Sequence, residues 1–301
     1  MNHRSRGVAL ITALLLLSVV SLLLVTMTTG QQLDIQRTSH LAHNQQGRWY
    51  GLSAENWAKQ VLSDDDSNID SLLDDWATDV PVMPIEQGAV AGQITDLQSR
   101  FNLNNLVQNN QPDTLSIHRF ERLLNLLDIT EHITPVLIDW IDPDLDVTPG
   151  GAEDSYYTNL RPGYRAANRP MADVSELRLL SGITSEIYDK LQPYITTLPV
   201  TTAININTAP GVILATLTDD NQLDIDAALD YRQQQAFTSV KSINQFNRNL
   251  DQPIQVSGLS VASNYFQLVT QVSLGVSSQS RYTLIRRDNR SSATVRRWSG
   301  Y

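Results

Sequence analysis

Closely spaced carboxylates between residues 139 and 182 are the side chains of this sequence best suited to chemistry. Asp142, Asp144 and Asp146 alternate along the chain, and Glu153 occupies position 12 if Asp142 is counted as position 1. An EF-hand loop spaces its calcium ligands in this way. Carboxylates packed together without a cation repel one another, so clustered oxygen ligands suit a hard cation. A cation site is therefore one interpretation of this segment.

The match to an EF-hand is partial. Position 6 is Val147 in place of the glycine that such a loop needs, and Pro149 with the two glycines after it gives the chain another path. A true EF-hand is therefore not expected. Asp154 could join a site of different geometry. Alternatively, the segment is a solvated acidic loop whose aspartates cap helices, and the residues alone leave both interpretations open.

Sequence motifs for catalysis are absent. The chain has no cysteine, no G-x-S-x-G elbow, no Walker loop and no H-E-x-x-H pattern. Of the histidines, only His40 and His43 are close together, and we interpret that pair as a packing surface. The chain is predicted not to be an enzyme. Its net charge of −10 also argues against a nucleic-acid or anionic-lipid surface as the main role.

The elements that must position the acidic segment begin with one long helix. Residues 8–29 carry no charge, and at about 1.5 Å per residue they cover a hydrocarbon core of about 30 Å. A helical pattern continues to residue 62 without a proline. Arg4 and Arg6 precede the apolar run, so the N-terminus is expected in the cytoplasm and the rest of the chain outside. These features predict a single-pass membrane anchor.

The N-terminus resembles that of the type IV prepilin class, in which a basic leader ends in glycine and an apolar helix follows at once. The resemblance implies that prepilin peptidase cuts between Gly7 and Val8 and methylates the new N-terminus. Most members carry Glu at the fifth mature position, where it meets the amine of a neighbouring subunit, but this sequence has Thr12. A charge inside a bilayer is expensive unless paired, so a subunit with no neighbour ahead would not need that acid. A plain anchor with a coincidental glycine is the alternative.

Four phrases extend the resemblance over nearly the whole chain, to the minor pseudopilin K family of the type II secretion system: RFNLNNL (100–106), GGAEDSYY (150–157), RAANRP (165–170) and NINTAP (205–210). This implies a subunit that caps the tip of the periplasmic pseudopilus, the filament that drives export of folded proteins across the outer membrane. It also implies an inner-membrane anchor with a periplasmic head. The implied partners are minor pseudopilins of the I, J and H types, the major pseudopilin filament, prepilin peptidase, inner-membrane lipid and, as a further candidate, secreted cargo; no nucleic acid is expected.

Members of this family bind calcium in the region of the acidic segment. The resemblance therefore carries a structural calcium onto Asp142, Asp144, Asp146, Glu153 and Asp154, without deciding which of them are direct ligands. Three nearby residues are expected to tie the loop down through hydrogen bonds: Arg165, Asn168 and Arg169.

The predicted fold is α+β: a pilin-like long N-terminal transmembrane helix packed on a small antiparallel sheet, with a large inserted all-α domain that contains two SAM-like or helix-hairpin-helix-like modules. Alternating patterns near residue 90 and after residue 263 predict the strands. The expected units are a leader (1–7), the long helix (8–62, with 8–29 transmembrane), a pilin-like α/β domain (63–109 and 263–301), an inserted helical domain whose first SAM-like module holds the acidic loop (110–202), and a second module (203–262).

Further predictions concern the connections between these units. The acidic residues 63–85 are expected to form a solvated connection. In the second module, Thr208 is expected to cap a helix with Pro210 in its first turn. The arginines of the last strands are interpreted as edge charges that deter aggregation, with a partner surface as the alternative: Arg281, Arg286, Arg287, Arg296 and Arg297.

A function of another class is suggested by residues 203–247, whose pattern is similar to the helix-hairpin-helix modules of competence-type DNA receptors. Such modules hold a phosphate with a glycine-rich hairpin. Here Asp219, Asp220 and Asp224 would repel it. A membrane-anchored helix-hairpin-helix adaptor or DNA-binding receptor is therefore the alternative function, and it would be favoured by an uncleaved chain that binds DNA.

Overall fold

A computed structural model describes residues 3–78, 82–218, 222–249, 252–275, 277–289 and 291–300. The helices are α1 His3–Asp64, α2 Thr114–Leu126, α3 Thr134–Ile141, α4 Asp154–Tyr157, α5 Ser185–Leu191, α6 Gly211–Ala215 and α7 Ile225–Gln234. The strands are β1 Met83–Ile85, β2 Gly88–Asp96, β3 Phe101–Asn102, β4 Val107–Gln108, β5 Gln111–Pro112, β6 Ile195–Thr196, β7 Ile204–Asn205, β8 Leu259–Ser260, β9 Tyr265–Leu274, β10 Ser277–Asp288 and β11 Ser291–Gly300. Short 3-10 turns cover Asp75–Ala77, Leu97–Ser99, Leu103–Leu106, Val174–Leu179 and Val240–Phe246.

Helix α1 runs unbroken for 62 residues, which is about 93 Å at 1.5 Å per residue. No proline interrupts it, so each interior N–H can bond the carbonyl four residues earlier. Its apolar N-terminal half, from Leu10 to Met27, is exposed along its length. Among the described residues, it is the one helix long and apolar enough to cross a membrane.

The C-terminal third of α1 packs on a five-stranded antiparallel sheet with strand order β1-β2-β9-β10-β11. Strands alternate their side chains between two faces, so every second residue meets the helix. Ala58 and Leu62 of α1 form a buried cluster with Phe266, Leu268 and Ile285 of the sheet. The predicted long helix on an antiparallel sheet is therefore confirmed, including the strand near residue 90 and the three strands after residue 263.

A helical insertion, residues 97–264, separates β2 from β9, although these two strands are hydrogen-bonded neighbours. It contains α2 to α7 around one continuous apolar core that extends from Phe101 to Leu259. Helix α2 shows why it belongs there: Phe120, Leu123 and Leu124 fall on one face and are buried in that core.

Two parts of the insertion are built alike. Strand β3 pairs in parallel with β6, and β7 pairs in parallel with β8, so each part begins and ends at the same place. The side-chain amide of Asn104 accepts a hydrogen bond from the Met171 N–H through Oδ1 and donates through Nδ2 to Met171 O and Leu198 O. Asn207 bonds the N–H and C=O of Phe237 in the same manner, and Val261 O takes the place of Leu198 O. Each of these asparagines ends an Asn-x-Asn motif, at residues 102–104 and 205–207, so the motif marks an internal structural repeat.

A buried polar cluster joins the insertion to the sheet and to the end of α1. We call it the joint; its members are Asp70, Asp96, Asn205, Ser263 and Arg287. The carboxylate of Asp96 accepts hydrogen bonds from Gln98 N, Asn205 Nδ2, Thr208 Oγ1 and Ser263 Oγ. The guanidinium of Arg287 contacts Asp70, Ser263 O and Leu62 O.

The joint corrects three predictions. Residues 63–85 are not simply a solvated connection, because Asp70 and Trp76 are buried. Arg287 is not an edge charge, since its side chain is 1% exposed and paired with Asp70. Thr208 does not cap a helix: α6 begins after Pro210, and the Thr208 hydroxyl donates to Asp96.

Candidate functional site

The predicted acidic loop lies between two helix ends, which fix where its acids stand. Helix α3 is buried from Val136 to Ile141 and ends with Asp142 as its C-cap, because Pro143 cannot continue the helix. Helix α4 begins after Glu153, whose carboxylate accepts a hydrogen bond from the Asp154 N–H. The loop therefore brings residues 142 and 153 to fixed positions in the fold.

Three of the five predicted ligands come together. One carboxylate oxygen each of Asp142, Asp144 and Glu153 lies within 4.8 Å of the others. Asp142 is 5% exposed and Glu153 is 2% exposed. In addition, Asp142 Oδ1 and Glu153 Oε1 are buried without a hydrogen-bond donor among the described residues. Buried carboxylate oxygens without donors are unfavourable unless a cation supplies the missing charge.

The electrostatics of the group agree with its geometry. Burial, together with repulsion from the charges of Asp144 and Asp139, raises the pKa of Asp142 to about 6. The pKa of Glu153 is raised to about 7, mainly by burial; repulsion from Asp139, Asp142 and Asp154 contributes to the rise, and the hydrogen bond from the Asp154 N–H limits it. A divalent cation at this position would relieve the repulsion, and the oxygen ligands are of the kind that calcium prefers.

The other two predicted ligands lie outside this group of three. Asp146 is exposed, and its N–H donates to Asp144 Oδ1 at 2.9 Å. Asp154 accepts a hydrogen bond from the Ala166 N–H at 2.9 Å and lies 3.8 Å from the Arg165 guanidinium. Asp146 therefore shapes the turn, and Asp154 links the loop to the chain that follows it.

Of the three residues predicted to hold the loop through hydrogen bonds, two contact the acidic segment. Asn168 Nδ2 donates to Asp144 O at 3.1 Å, and Arg165 pairs with Asp154. Arg169 instead donates to its neighbour Pro170 O. Asn168 adopts a left-handed backbone, φ 44°, which asparagine tolerates better than most residues.

Asp139 is a site residue that the sequence reasoning missed. It is fully buried one turn before Asp142, and its carboxylate accepts the Thr148 N–H at 3.1 Å. A Cβ at Gly151 would lie 2.1 Å from Asp139 Oδ2, so only glycine fits there. The available signal was the i, i+3 spacing of Asp139 and Asp142, which places both acids on one helix face.

A second acidic group was also missed: carboxylate oxygens of Asp65, Asp70 and Asp74 lie within 4.8 Å of one another. This group has a protein cation at its centre, because Arg287 contacts Asp70 and lies 3.5 Å from Asp65. Asp74 accepts further hydrogen bonds from Ser71 and from the Trp76 indole. The group is therefore part of the joint's own ion pairing.

The predicted processing residues lie in α1. The Gly7–Val8 bond is within its helical backbone, and Thr12 is exposed on the helix five residues after Gly7. Of the three acids in the predicted hairpin of the second module, Asp219 and Asp220 lie outside the described residues. Asp224 caps α7 and pairs with Arg248 at 3.0 Å.

Known proteins of one family are similar to this chain in sequence. A sequence model of the family "Type II secretion system (T2SS), protein K" matches residues 99–200. The chain is 34% identical over 292 residues to type II secretion system protein K of Pseudomonas aeruginosa. This alignment covers 91% of the chain and 86% of the relative. The chain belongs to the type II secretion system protein K family. The Klebsiella pneumoniae protein K is 32% identical over 323 residues, covering 100% of this chain and 98% of the relative.

A solved structure extends the likeness to three dimensions. A chain in the crystal structure of the GspK-GspI-GspJ complex from the type 2 secretion system of enterotoxigenic Escherichia coli matches with a TM-score of 0.72 and 30% identity. The match covers 88% of this chain and 99% of that chain. The predicted role as a minor pseudopilin of the type II secretion system, and the mixed α+β fold, are thereby confirmed.

Proposed function

We propose that this minor pseudopilin caps the tip of the pseudopilus that drives export of folded proteins. The main support for the proposal is that the insertion is attached at the end of α1 farthest from its apolar half. The joint lies at the C-terminal end of α1, since Arg287 contacts Leu62 O and Asp65 there. With the apolar half of α1 in the membrane, the helical insertion is held at the membrane-distal end, where it would obstruct a further subunit.

Thr12 supports the same position. Thr12 gives the membrane helix a neutral residue where most prepilins have an acid. An acid there is favourable only when a neighbouring amine pairs with it. A subunit with nothing ahead of it has no such amine to meet.

The proposed partners are minor pseudopilins of the I, J and H types and the major pseudopilin filament. The matching chain of the solved structure belongs to a GspK-GspI-GspJ complex. The test is immunogold labelling of filaments that contain the full-length protein, with the major pseudopilin labelled as the control. Label at one end supports capping, and label spread along the filament contradicts it.

We propose further that prepilin peptidase removes residues 1–7 and methylates Val8, and that the mature chain is anchored in the inner membrane with its head in the periplasm. Intact mass and N-terminal sequencing from cells with and without the peptidase test this. A methylated start at Val8 only when the peptidase is present is expected. A start at Met1 in both strains would contradict the proposal and would favour an ordinary anchored adaptor.

We propose that Asp142, Asp144 and Glu153 hold a structural calcium ion, with Asp146 and Asp154 as the outer members of the predicted ligand set. The support is the pair of buried carboxylate oxygens without donors. Calcium would bridge the end of α3 and the start of α4. Calorimetric titration of the metal-free protein with CaCl2, compared with Glu153→Gln, tests the assignment; equal affinity of the two proteins would refute it.

We propose that the two repeats of the insertion are tandem SAM-like modules, the second with a helix-hairpin-helix pattern. Their parallel strand pairs and their equivalent asparagines support a common origin. In this proposal the modules serve as packing units of the head and not as phosphate-binding units. Asp224 places a carboxylate at the start of α7, where a phosphate would have to bind, and it is already paired with Arg248.

A further inference from the structure

A cleft of about 330 Å³ separates the insertion from one face of the sheet. Arg297 of β11 bonds Glu55 of α1, so alternation places its neighbours Arg296 and Trp298 on the opposite face. The register with β10 shifts between Arg296 and Thr294, so Thr294 faces α1 as well and also bonds Glu55. Trp298 stacks on Tyr282 with ring centroids 5.7 Å apart, and both line the cleft. Its other wall includes Tyr188 of α5.

Arg100 lines the same cleft and is half-buried. Within the described parts of the chain, its guanidinium has no hydrogen-bond acceptor and no carboxylate in ion-pair distance. The acid that acts on Arg100 from a distance, Asp96, already accepts hydrogen bonds from four other donors. Burial lowers the pKa of the Arg100 guanidinium from its ordinary value, and the distant charge of Asp96 only partly opposes this.

A neighbouring arginine shows what a satisfied cation in this cleft looks like. Arg296 Nη1 donates to Ala172 O at 2.6 Å and lies 3.4 Å from Asp173, and its guanidinium stands over the Trp298 ring. The charges of Arg296 and Asp173 therefore balance, while the charge of Arg100 does not. Partial burial of a charge without a partner is costly, so this arrangement lacks one anionic group.

We propose that the cleft binds a carboxylate side chain presented by an acidic segment of a partner protein, and that Arg100 contacts this carboxylate. A planar guanidinium pairs with a carboxylate through two parallel hydrogen bonds. The aromatic wall packs against the aliphatic stem of the acid and against its apolar neighbours. A polyanion such as nucleic acid fits less well, because the chain carries a net charge of −10 and the cleft contributes one unbalanced cation.

The neighbouring sheet edge favours an extended segment as the part of the partner that enters. Strand β11 is an edge strand of the sheet, and two of its side chains, Arg296 and Trp298, line the cleft. The free backbone groups of an edge strand pair readily with an extended chain. A segment beside β11 would place alternate side chains toward the cleft.

The experiment uses the full-length protein in detergent and an array of blocked pentapeptides with one central Glu and varied flanking residues. A matched array carries Gln at the centre. The variants are Arg100→Gln, Arg100→Lys and, as a control that removes the same charge from exposed α1, Arg48→Gln. Affinities of the strongest peptides are then measured by calorimetry.

We expect some Glu peptides to bind and their Gln counterparts to bind at least tenfold more weakly. R100Q is expected to lose binding at least tenfold, R100K to retain part of it, and R48Q to bind like the wild type. The melting temperature of R100Q should equal or exceed that of the wild type, because a desolvated, unpaired cation is removed. The absence of any Glu-dependent peptide, unchanged affinity in R100Q, or a melting temperature several degrees lower would each overturn the proposal.

Discussion

The joint and the acidic loop contain carboxylates that are buried to a similar extent, but they differ in what faces those carboxylates. Asp96 of the joint is 2% exposed and accepts four hydrogen bonds from protein donors. Glu153 of the loop is also 2% exposed, yet its Oε1 has no donor in the described chain. Asp96 and Glu153 therefore differ in the donors that they meet and not in their burial. Because a buried charge needs a compensating donor or cation, this contrast supports the proposal that Glu153 binds a cation.

The largest expected effect tests the joint. Arg287→Ala removes a buried guanidinium and leaves Asp70 as an uncompensated buried acid, which should lower the free energy of unfolding by about 3–5 kcal/mol. Urea denaturation followed by tryptophan fluorescence measures it. The matched control is Arg286→Ala on the same strand, whose side chain is 50% exposed in its pair with Asp288; it should cost less than about 1 kcal/mol. Equal losses would show that the joint does not depend on its central cation.

The next effect tests the loop. If calcium binds only the folded state, then calcium at 100 times its dissociation constant should raise the free energy of unfolding by about 2.7 kcal/mol. Thermal melts with CaCl2 and with chelator measure the difference.

A pair of substitutions sharpens the contrast between the two regions. Glu153→Gln should stabilise the chelated protein at neutral pH, because it removes a repelled charge, and should lose the gain from calcium. Asp96→Asn should destabilise the protein by about 1.5–3 kcal/mol with or without calcium, because its donors lose a charged acceptor. If both variants respond to calcium like the wild type, the distinction between the two regions fails.

A smaller effect concerns Glu55, which is buried against β11 and well supplied with donors. Burial raises its pKa, but hydrogen bonds from Arg297, Lys59 and Thr294 outweigh burial and lower the pKa to about 2. The stability that Glu55 contributes is therefore present above its ordinary pKa near 4.5 and is lost as the pH falls toward 2. Glu55→Gln should cost about 1–2 kcal/mol at pH 7. Denaturation curves of both proteins from pH 7 to 3 should converge at the acid end, and a constant gap would contradict the prediction.

The smallest effect concerns the edge of the loop. The side chain of Arg165 is 81% exposed, and its contact with Asp154 is long at 3.8 Å. Arg165→Ala should change the free energy of unfolding by less than about 1 kcal/mol. A larger loss in urea denaturation would place Arg165 among the residues that organise the loop.

Local patterns in the sequence predicted most of the fold. The long helix followed from an apolar run and the absence of proline, and the strands followed from alternation, because both signals depend on neighbours in the chain. The spacing of Asp142 and Glu153 likewise predicted the acidic loop, of which the structure brings three members together. Their role as calcium ligands stays a prediction.

Long-range compensation was not predictable in the same way. Arg287 and Asp70 are 217 positions apart, so nothing local to Arg287 identified its partner. One signal was present, since Arg287 stands two residues after the buried Ile285 and therefore faces the same side of the sheet. The paired N-x-N motifs at residues 102–104 and 205–207 were a second signal, and they marked the repeat.

The parallel strand pairs have an evolutionary consequence. Because β3 lies beside β6 and β7 beside β8, the point where the chain enters each module is next to the point where it leaves. A unit of this kind can be gained, copied or exchanged at a single point of its host, since the flanking chain need not be rerouted and loop closure costs little. An ancestral pilin could thus have acquired one module between two sheet strands and then a second copy of it. The same property makes the insertion a practical place to graft a foreign domain onto this protein.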